Sequence, residues 1–263
     1  MRLDPLDWTP ACVAGLELAV FHRDRRPDTP VVLVTHGLAG SLVDALGLAR
    51  LVHATGLTAV AFEQRNHGRR LVDARRQRWS PEGDDVAEGL ATVLGTARDA
   101  TLLIDTIPAC LGLTPHAWGM TGISLGGRAT LTAMAHEPRL AVGAAMVACD
   151  YLGAWRHRCR LGGLDPDRLQ AAWSPALRDL VARADVLHDP RIFADRPLLL
   201  VAGGRDEVVP QAAVEGVQAA LAPHYRQGER LVLDVHPEME HAVPEAVQRN
   251  AAAFLARWLG RVD

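Results

Sequence analysis

The sequence predicts an α/β protein with a mostly parallel sheet that is covered by helices on both faces. Short apolar runs alternate with longer amphipathic stretches along most of the 263 residues, which is typical of consecutive strand–helix–strand units. Residues 140–149 are apolar throughout, as expected of a strand that is buried on both faces. Sheet proteins of this class commonly form one domain of about 200–250 residues, so we expect residues 1–263 to fold as a single domain.

Six strands are predicted from apolar or alternating runs. The first is a β-branched run, and Gly56 marks the start of the second. The last one alternates between apolar and polar residues. The predicted strands are residues 31–35, 57–62, 118–123, 140–149, 198–202 and 230–235.

Five helices are predicted between and after these strands, because apolar residues recur there three and four positions apart. In the first helix, Leu42, Leu46, Ala49 and Val52 lie near one face. Each of the first four helices returns the chain to the start of the next strand, as a parallel sheet requires, and the fifth closes the chain. The predicted helices are residues 41–55, 85–111, 125–136, 211–221 and 244–259.

Residues 150–196 break this alternation. The segment contains Pro166, Pro175 and Pro190 and has no clear strand. Ser174 followed by Pro175 predicts the start of a short helix, because serine caps helices and proline fits the first helical position. The segment is too short, and too poor in a periodic core of its own, to fold alone. We therefore interpret it as a small cap inserted between two core strands.

The composition excludes several functions. The sequence contains no lysine, and all 28 basic residues are arginines. A Schiff-base enzyme, covalent attachment of pyridoxal phosphate and a Walker-type phosphate loop each need a lysine. The net charge of −3 argues against a nucleic-acid partner, whose binding depends on a basic surface.

The sequence also favours a cytoplasmic location. The first residues lack the apolar segment of a secretory signal, and no run of about 18 uncharged apolar residues predicts a membrane span. The four cysteines, Cys12, Cys110, Cys149 and Cys159, include no C-x-x-C pair and are expected to be free thiols, with two disulfides in a secreted form as the alternative. The oligomeric state is open between monomer and dimer.

A serine motif lies between a predicted strand and a predicted helix. Residues 122–126 match G-x-S-x-G with Ser124 at the centre, and this motif places a nucleophilic serine on a tight strand-to-helix turn. The residues two before and two after the serine must be small, since larger side chains would collide across the turn. The alternative is a serine in an ordinary glycine-rich turn, although the glycines do not fit the G-x-G-x-x-G pattern of a dinucleotide site.

A nucleophilic serine needs a base, and the base needs a group that orients it. His241 is the favoured base because it follows the last predicted strand, and His236 is its rival there. Asp206, which follows the strand at residues 198–202, is the favoured acid. Glu207 and Asp150 are the alternative acids. The chain order serine, acid, histidine matches that of hydrolases with this type of serine turn.

Two backbone N–H groups are predicted to stabilise the oxyanion that forms during acyl transfer. One belongs to Leu125, directly after the serine. The other is assigned to Leu38, in the loop after the first predicted strand. Gly37 in that loop lets the backbone approach the substrate, so we include it as a substrate-binding residue. His36 is expected to hold the loop in place by hydrogen bonds.

Together, these motifs resemble the α/β-hydrolase superfamily. The resemblance rests on His36-Gly37, on residues 122–126 and 204–210, and on Glu240-His241. Residues 63–69 and 195–201 are further similar to small bacterial serine esterases of the dienelactone-hydrolase and prolyl-oligopeptidase-like group. The resemblance implies an α/β-hydrolase fold and metal-free hydrolysis of short-chain esters through an acyl-enzyme. Dienelactone hydrolases proper have a cysteine nucleophile, whereas this chain has Ser124.

Two further features carry alternative interpretations. Six arginines cluster at Arg65, Arg69, Arg70, Arg75, Arg76 and Arg78; they form either a solvated loop with nearby carboxylates or a site for an anionic substrate group. Trp155 and Trp173 either line an apolar substrate pocket or form the core of the cap, and we include them as candidate substrate-binding residues. No Cys/His pattern indicates a metal site, and no cofactor is expected.

The sequence thus predicts a serine esterase that acts on small or medium acyl substrates. A thioesterase, a peptidase or an acyltransferase would use the same residues. A non-catalytic member of the fold that binds a small ligand is the remaining alternative, and a broken triad would mark it.

Overall fold

The computed structural model describes residues 8–22, 27–72 and 83–260. Over these residues, eight strands form one sheet. They are β1 Thr9–Val13, β2 Leu16–Phe21, β3 Val31–Thr35, β4 Thr58–Phe62, β5 Trp118–Ile123, β6 Leu140–Met146, β7 Leu198–Gly203 and β8 Leu231–His236. Their order across the sheet is β1-β2-β4-β3-β5-β6-β7-β8. Strands β3 to β8 run parallel, so the loops after them meet at one edge of the sheet.

Eight α-helices cover the described part of the sheet or extend from it. They are α1 Leu42–Ala54, α2 Gly83–Leu111, α3 Leu125–His136, α4 Tyr151–Leu161, α5 Pro166–Ala171, α6 Pro175–Ala184, α7 Gln211–Leu221 and α8 Glu245–Leu259. The predicted α/β-hydrolase fold is confirmed, and each predicted strand and helix is present with end shifts of a few residues. The main shift is at β6, which ends at Met146 because Val147 adopts a left-handed backbone angle (φ 44°).

Strands β1 and β2 were not predicted from the sequence; β1 pairs antiparallel with β2, which pairs antiparallel with β4. Ala14 and Gly15 connect β1 to β2, both with positive φ, as a two-residue hairpin turn requires. Most of β1 is exposed, so its side chains carry little of the apolar signal that identifies a buried strand.

The core lies in two layers, one on each face of the sheet. Side chains alternate along β3: Val31 and Leu33 face the layer with α2, α3 and α7, whereas Val32 and Val34 face the layer with α1 and α8. This alternation is the two-residue period of a strand with both faces buried.

Helices α4, α5 and α6 lie between β6 and β7, in the segment that we interpret as a cap. The predicted N-cap is confirmed, since Ser174 Oγ accepts a hydrogen bond from the Leu177 N–H at 3.2 Å. A third apolar cluster joins α4 and α6 to the start of α2. No helix within the described ranges has the length and apolar character that a membrane crossing requires.

Candidate active site

Ser124 lies on the tight turn from β5 into α3, with φ 56° and ψ −114°. Two glycines make this turn sterically possible. A Cβ on Gly122 would lie 2.5 Å from the carbonyl carbon of Gly126, and a Cβ on Gly126 would lie 2.6 Å from the backbone oxygens of Thr35 and His36. Both contacts are too short for any side chain, so glycine is required at both positions.

A continuous hydrogen-bond chain joins the three predicted catalytic residues. The distance between Ser124 Oγ and His241 Nε2 is 2.9 Å, and His241 Nδ1 lies 2.8 Å from Asp206 Oδ2. Because a carboxylate only accepts hydrogen bonds, His241 carries its proton on Nδ1. Nε2 is then left as the acceptor for the serine hydroxyl, which is the arrangement that a general base needs.

The Asp206 side chain is fully buried. Its Oδ1 accepts the N–H groups of Val208 and Val209, each at 2.8 Å. Burial alone would raise the pKa of Asp206, but the hydrogen bonds from His241, Val209 and Val208 outweigh it and lower the pKa below its ordinary value. The carboxylate therefore stays ionised beside the imidazole.

The alternative acids and base have other partners. Asp150 caps α4 by accepting the Gly153 N–H at 2.6 Å. Glu207 is exposed, and its backbone oxygen, not its carboxylate, lies 3.0 Å from His157 Nε2. His236 pairs with Asp234 at 3.1 Å. Among the candidates, only Asp206 and His241 are linked to Ser124.

The loop after β3 lies directly against Ser124. A Cβ on Gly37 would stand 3.8 Å from Ser124 Cβ and 3.5 Å from the backbone oxygen of Ile123. Leu38 follows Gly37, and Leu125 is the first residue of α3. Both backbone N–H groups therefore lie on the two segments that meet at Ser124, and their role as oxyanion donors stays a prediction.

His36 holds this loop in place, as expected. Its Nε2 accepts the backbone N–H of Gln64 at 3.2 Å, so Nδ1 carries the proton and donates to the Gly37 oxygen at 2.8 Å. Burial lowers the pKa of His36, which keeps the ring neutral. Gln64 also donates from its side chain to the His36 backbone oxygen. This role of Gln64 was not predicted, although the residue lies in the stretch 63–69 that resembles small bacterial serine esterases.

The two tryptophans of the cap do not line the cavity beside the catalytic residues. Trp155 and Trp173 are 2% and 6% exposed, with ring centroids 4.7 Å apart, and they pack with Val86 and Leu90 of α2. Their assignment as substrate-binding residues is therefore corrected to the alternative, a core between the cap and α2.

The described arginines of the predicted cluster have carboxylate partners. Arg65 and Arg70 both pair with the buried Asp99, at 2.8 and 2.7 Å, and Arg69 pairs with Glu17 at 2.6 Å. Arg75, Arg76 and Arg78 lie outside the described residues. The three described arginines thus attach the loop after β4 to its neighbours, and they do not form an open site for an anionic substrate group. Asp99, which pairs with two of them, was not identified from the sequence.

A cavity of about 650 Å³ opens beside Asp206 and His241. Its walls come from the loops after β7 and β8, and the lining residues are Gly204, Arg205, Asp206, Glu207, Val208, Glu240 and His241. Over residues 8–22, 27–72 and 83–260, no group of three or more His, Cys, Asp or Glu side chains is arranged to hold a metal ion.

The sequence of this chain matches one protein family. A profile of the prolyl oligopeptidase family matches residues 112–262, a range that includes Ser124, Asp206 and His241. The Bacillus subtilis protein named "Putative esterase YitV" is 24% identical over 245 residues, which span 91% of this chain and 93% of that protein.

Solved structures have the same fold. TT1662 from Thermus thermophilus is 25% identical, with a TM-score of 0.75 over 98% of this chain and 99% of that one. The Pyrococcus furiosus esterase Pf2001 is 19% identical, with a TM-score of 0.65 over 99% of this chain and 97% of that one.

Proposed function

The chain belongs to the prolyl oligopeptidase family. We propose that it is a serine hydrolase that cleaves carboxylic esters through an acyl-enzyme. The observation that carries the proposal is the hydrogen-bond chain from Ser124 through His241 to Asp206. Its two links measure 2.9 and 2.8 Å, within the range in which a base can take the serine proton.

In the first half of the reaction, Ser124 Oγ attacks the ester carbonyl and its proton passes to His241 Nε2. The imidazole then carries a positive charge, which the ionised and buried Asp206 stabilises. We assign the stabilisation of the negative charge on the carbonyl oxygen to the N–H groups of Leu38 and Leu125. The positive end of the α3 dipole adds to this stabilisation. The tetrahedral intermediate collapses, and His241 returns the proton to the departing alcohol.

In the second half, water attacks the acyl group on Ser124. His241 takes a proton from this water and returns it to Ser124 Oγ as the acid departs. The same three side chains serve both halves, so the site needs no further group to complete the cycle.

Ester hydrolysis is favoured over the other acyl-transfer reactions because two of the similar proteins, from Bacillus subtilis and Pyrococcus furiosus, have names that describe an esterase. Thioester hydrolysis, peptide cleavage and acyl transfer would use the same triad. A panel of aryl acetates, thioacetates and amino-acid anilides separates them, and we expect the largest kcat/KM for the aryl acetates. Faster cleavage of thioesters or anilides would change the assigned reaction.

Labelling with a fluorophosphonate probe, followed by peptide mapping, tests the nucleophile. We expect one stable adduct on Ser124, because only an activated serine reacts with such a probe. The adduct is absent from Ser124→Ala and retained in Ser174→Ala, which removes a serine of the cap. Folded wild-type protein that takes up no label would instead indicate a non-catalytic ligand-binding protein.

A further inference from the structure

The loop that carries Leu38 is held at both ends by two consecutive residues, Glu63 and Gln64. This loop comprises residues 36–41, between β3 and α1. Glu63 and Gln64 directly follow β4, which pairs in parallel with β3, so the ends of the two strands lie side by side. Both residues are buried, with exposed fractions of 7% and 0%.

Gln64 fixes the first residue of the loop, His36, through two contacts. Its backbone N–H donates to His36 Nε2 at 3.2 Å, and its side-chain amide donates to the His36 backbone oxygen. The other ring nitrogen of His36 donates to the Gly37 oxygen at 2.8 Å. The ring of His67 packs against that of His36, with centroids 5.2 Å apart. The start of the loop is therefore fixed through both its backbone and its side chain.

Glu63 fixes the other end of the loop. One carboxylate oxygen accepts the backbone N–H of Leu42, the first residue of α1, at 3.0 Å, and the other accepts that of Arg69 at 2.7 Å. A carboxylate is favoured at this place because the start of a helix carries partial positive charge. Gly68 leaves room for it, since an added Cβ would overlap the Glu63 carboxylate. Glu63 thus joins the start of α1 to the loop after β4.

Between these two anchors, the loop makes a strained turn. The Gly40 N–H donates to the Gly37 oxygen at 3.2 Å, so Leu38 and Ala39 are the central residues of the turn. Ala39 has φ 60°, a left-handed conformation that alanine disfavours. Such a residue persists only where the surrounding structure imposes its conformation. A loop released at either end is therefore expected to relax at Ala39 and to change the direction of the neighbouring Leu38 N–H.

We propose that Glu63 and Gln64 are positioning residues for the oxyanion site, which act by fixing the direction of the Leu38 N–H. This inference rests on the proposed ester hydrolysis and on Leu38 as an oxyanion donor. The oxyanion exists only in the tetrahedral intermediate and in the transition states that flank it. Loss of either anchor should therefore weaken stabilisation of the intermediate and leave binding of the uncharged substrate largely unchanged.

A matched pair of ketones measures the oxyanion contact. With 1,1,1-trifluoro-4-phenylbutan-2-one, Ser124 Oγ bonds to the carbonyl carbon, the C=O π pair moves to the oxygen, and the serine proton passes to His241. The parent 4-phenylbutan-2-one is not activated for this addition and reports binding alone. The ratio of the two inhibition constants therefore measures how well the enzyme stabilises the tetrahedral adduct.

Gln64→Leu removes the side-chain donor and keeps the backbone N–H. We expect its kcat/KM for 4-nitrophenyl acetate to fall about 10–100-fold, because a small displacement of a catalytic donor is costly. Its preference for the trifluoromethyl ketone should fall by a similar factor. The inhibition constant of 4-phenylbutan-2-one should stay within about twofold of the wild-type value, which a general disruption of the site would not preserve.

Two further variants and a control locate the effect. Gln64→Asn keeps the amide on a shorter side chain and should lie between the wild type and Gln64→Leu. Glu63→Gln leaves one oxygen to accept two N–H groups and should lower both quantities. Tyr225→Phe is the matched control, since it also removes one side-chain hydrogen bond to a backbone oxygen, that of Arg196 at 2.7 Å. Tyr225 precedes β8, at the opposite end of the parallel strands, so both quantities should equal those of the wild type.

The outcomes separate the inference from the proposed function. Unchanged kcat/KM and ketone preference in the folded anchor variants would overturn the inference and leave ester hydrolysis standing. A fall in kcat/KM without a fall in ketone preference would overturn it as well. If Gln64→Leu does not fold, Gln64→Asn and Glu63→Gln decide the outcome. If the wild type neither cleaves esters nor prefers the trifluoromethyl ketone, the proposed function fails and the inference falls with it.

Discussion

Ser124 adopts a backbone conformation that non-glycine residues rarely occupy. Its φ of 56° belongs to a class of strained residues that cost about 1–3 kcal/mol each. The surrounding structure imposes this angle, because β5 and α3 are both buried and approach each other closely at Gly122 and Gly126. In return, the hydroxyl stands clear of the sheet and reaches His241.

Two of the three candidate acids, Asp206 and Asp150, are expected to differ in their effect on activity. Asp206→Asn should lower kcat/KM for an aryl acetate by about 10³–10⁴-fold, since an amide no longer fixes the proton on His241 Nδ1. Asp150→Asn should change kcat/KM only slightly, because asparagine caps a helix as well as aspartate does. Steady-state kinetics on both variants checks this. A larger loss in Asp150→Asn would reassign the acid to Asp150, at the start of α4.

At the residue scale, the sequence predicts the candidate catalytic residues, because their chemical type and position are recognisable. It does not predict residues whose role depends on tertiary packing. Ser124, Asp206 and His241 could be identified because each follows a predicted strand, in a fixed chain order. The burial of Trp155 and the pairing of Arg65 with Asp99 could not, because both depend on α2, which is distant in sequence. A tryptophan in a cap looks the same in the sequence whether it contacts substrate or a helix.

At the scale of single elements, the contact between α3 and the loop after β3 controls the geometry of the site. The two meet at Gly126, where an added Cβ would lie 2.6 Å from the backbone oxygens of Thr35 and His36. Any added atom there must separate the start of α3 from the loop that carries Gly37 and Leu38. Since both segments supply the predicted oxyanion donors, this contact links helix packing to catalysis.

Gly126→Ala tests that link. We expect a loss of about 1–3 kcal/mol in the free energy of unfolding, from overpacking, together with a large fall in kcat/KM. Gly216→Ala is the matched control: its Cβ meets nothing within 4 Å on α7, so it should be stabilising by about 0.5–1 kcal/mol. Urea unfolding and aryl acetate kinetics measure both effects. Normal activity in Gly126→Ala would show that the loop tolerates displacement.

The elements themselves were largely predictable from apolar periodicity. The exceptions have physical causes. The exposed β1 gives a weak apolar pattern, and β6 ends early because Val147 turns the chain, although its side chain is as apolar as those before it. A left-handed backbone angle at an apolar residue cannot be recognised from the pattern of apolar residues.

At the scale of the whole molecule, stability depends on groups remote from the site. Glu137 follows α3, and its nearly buried carboxylate accepts hydrogen bonds from Arg139 Nε at 2.8 Å and Nη2 at 2.7 Å. The hydrogen bonds from Arg139 lower the pKa of Glu137 to about 2. Arg139 also reaches Asp105 of α2 at 2.6 Å, so the group connects α2, α3 and β6.

Acid should weaken this connection. Because the pKa of Glu137 is lowered by folding, its contribution is fully present above about pH 5 and is lost as the pH falls toward 2. The contribution is at most about 3 kcal/mol. Glu137→Gln should therefore be less stable than wild type at pH 7, and the difference should shrink at pH 3 in urea unfolding. Asp179→Asn, which breaks an exposed pair with Arg183, should differ by less than about 1 kcal/mol at either pH. An equal deficit of Glu137→Gln at both pH values would contradict the assignment.

The position of β8 has a consequence for the order in which the site is completed during folding. Within the ranges that the structure describes, this strand is at the edge of the sheet and pairs with β7 alone. His241 follows it, 117 residues after Ser124 and 35 after Asp206. Contacts that distant in sequence form late, since they close long loops. A growing polypeptide therefore exposes Ser124, the proposed nucleophile, long before it contains the proposed base, and we expect reactivity only after the edge strand has joined the sheet.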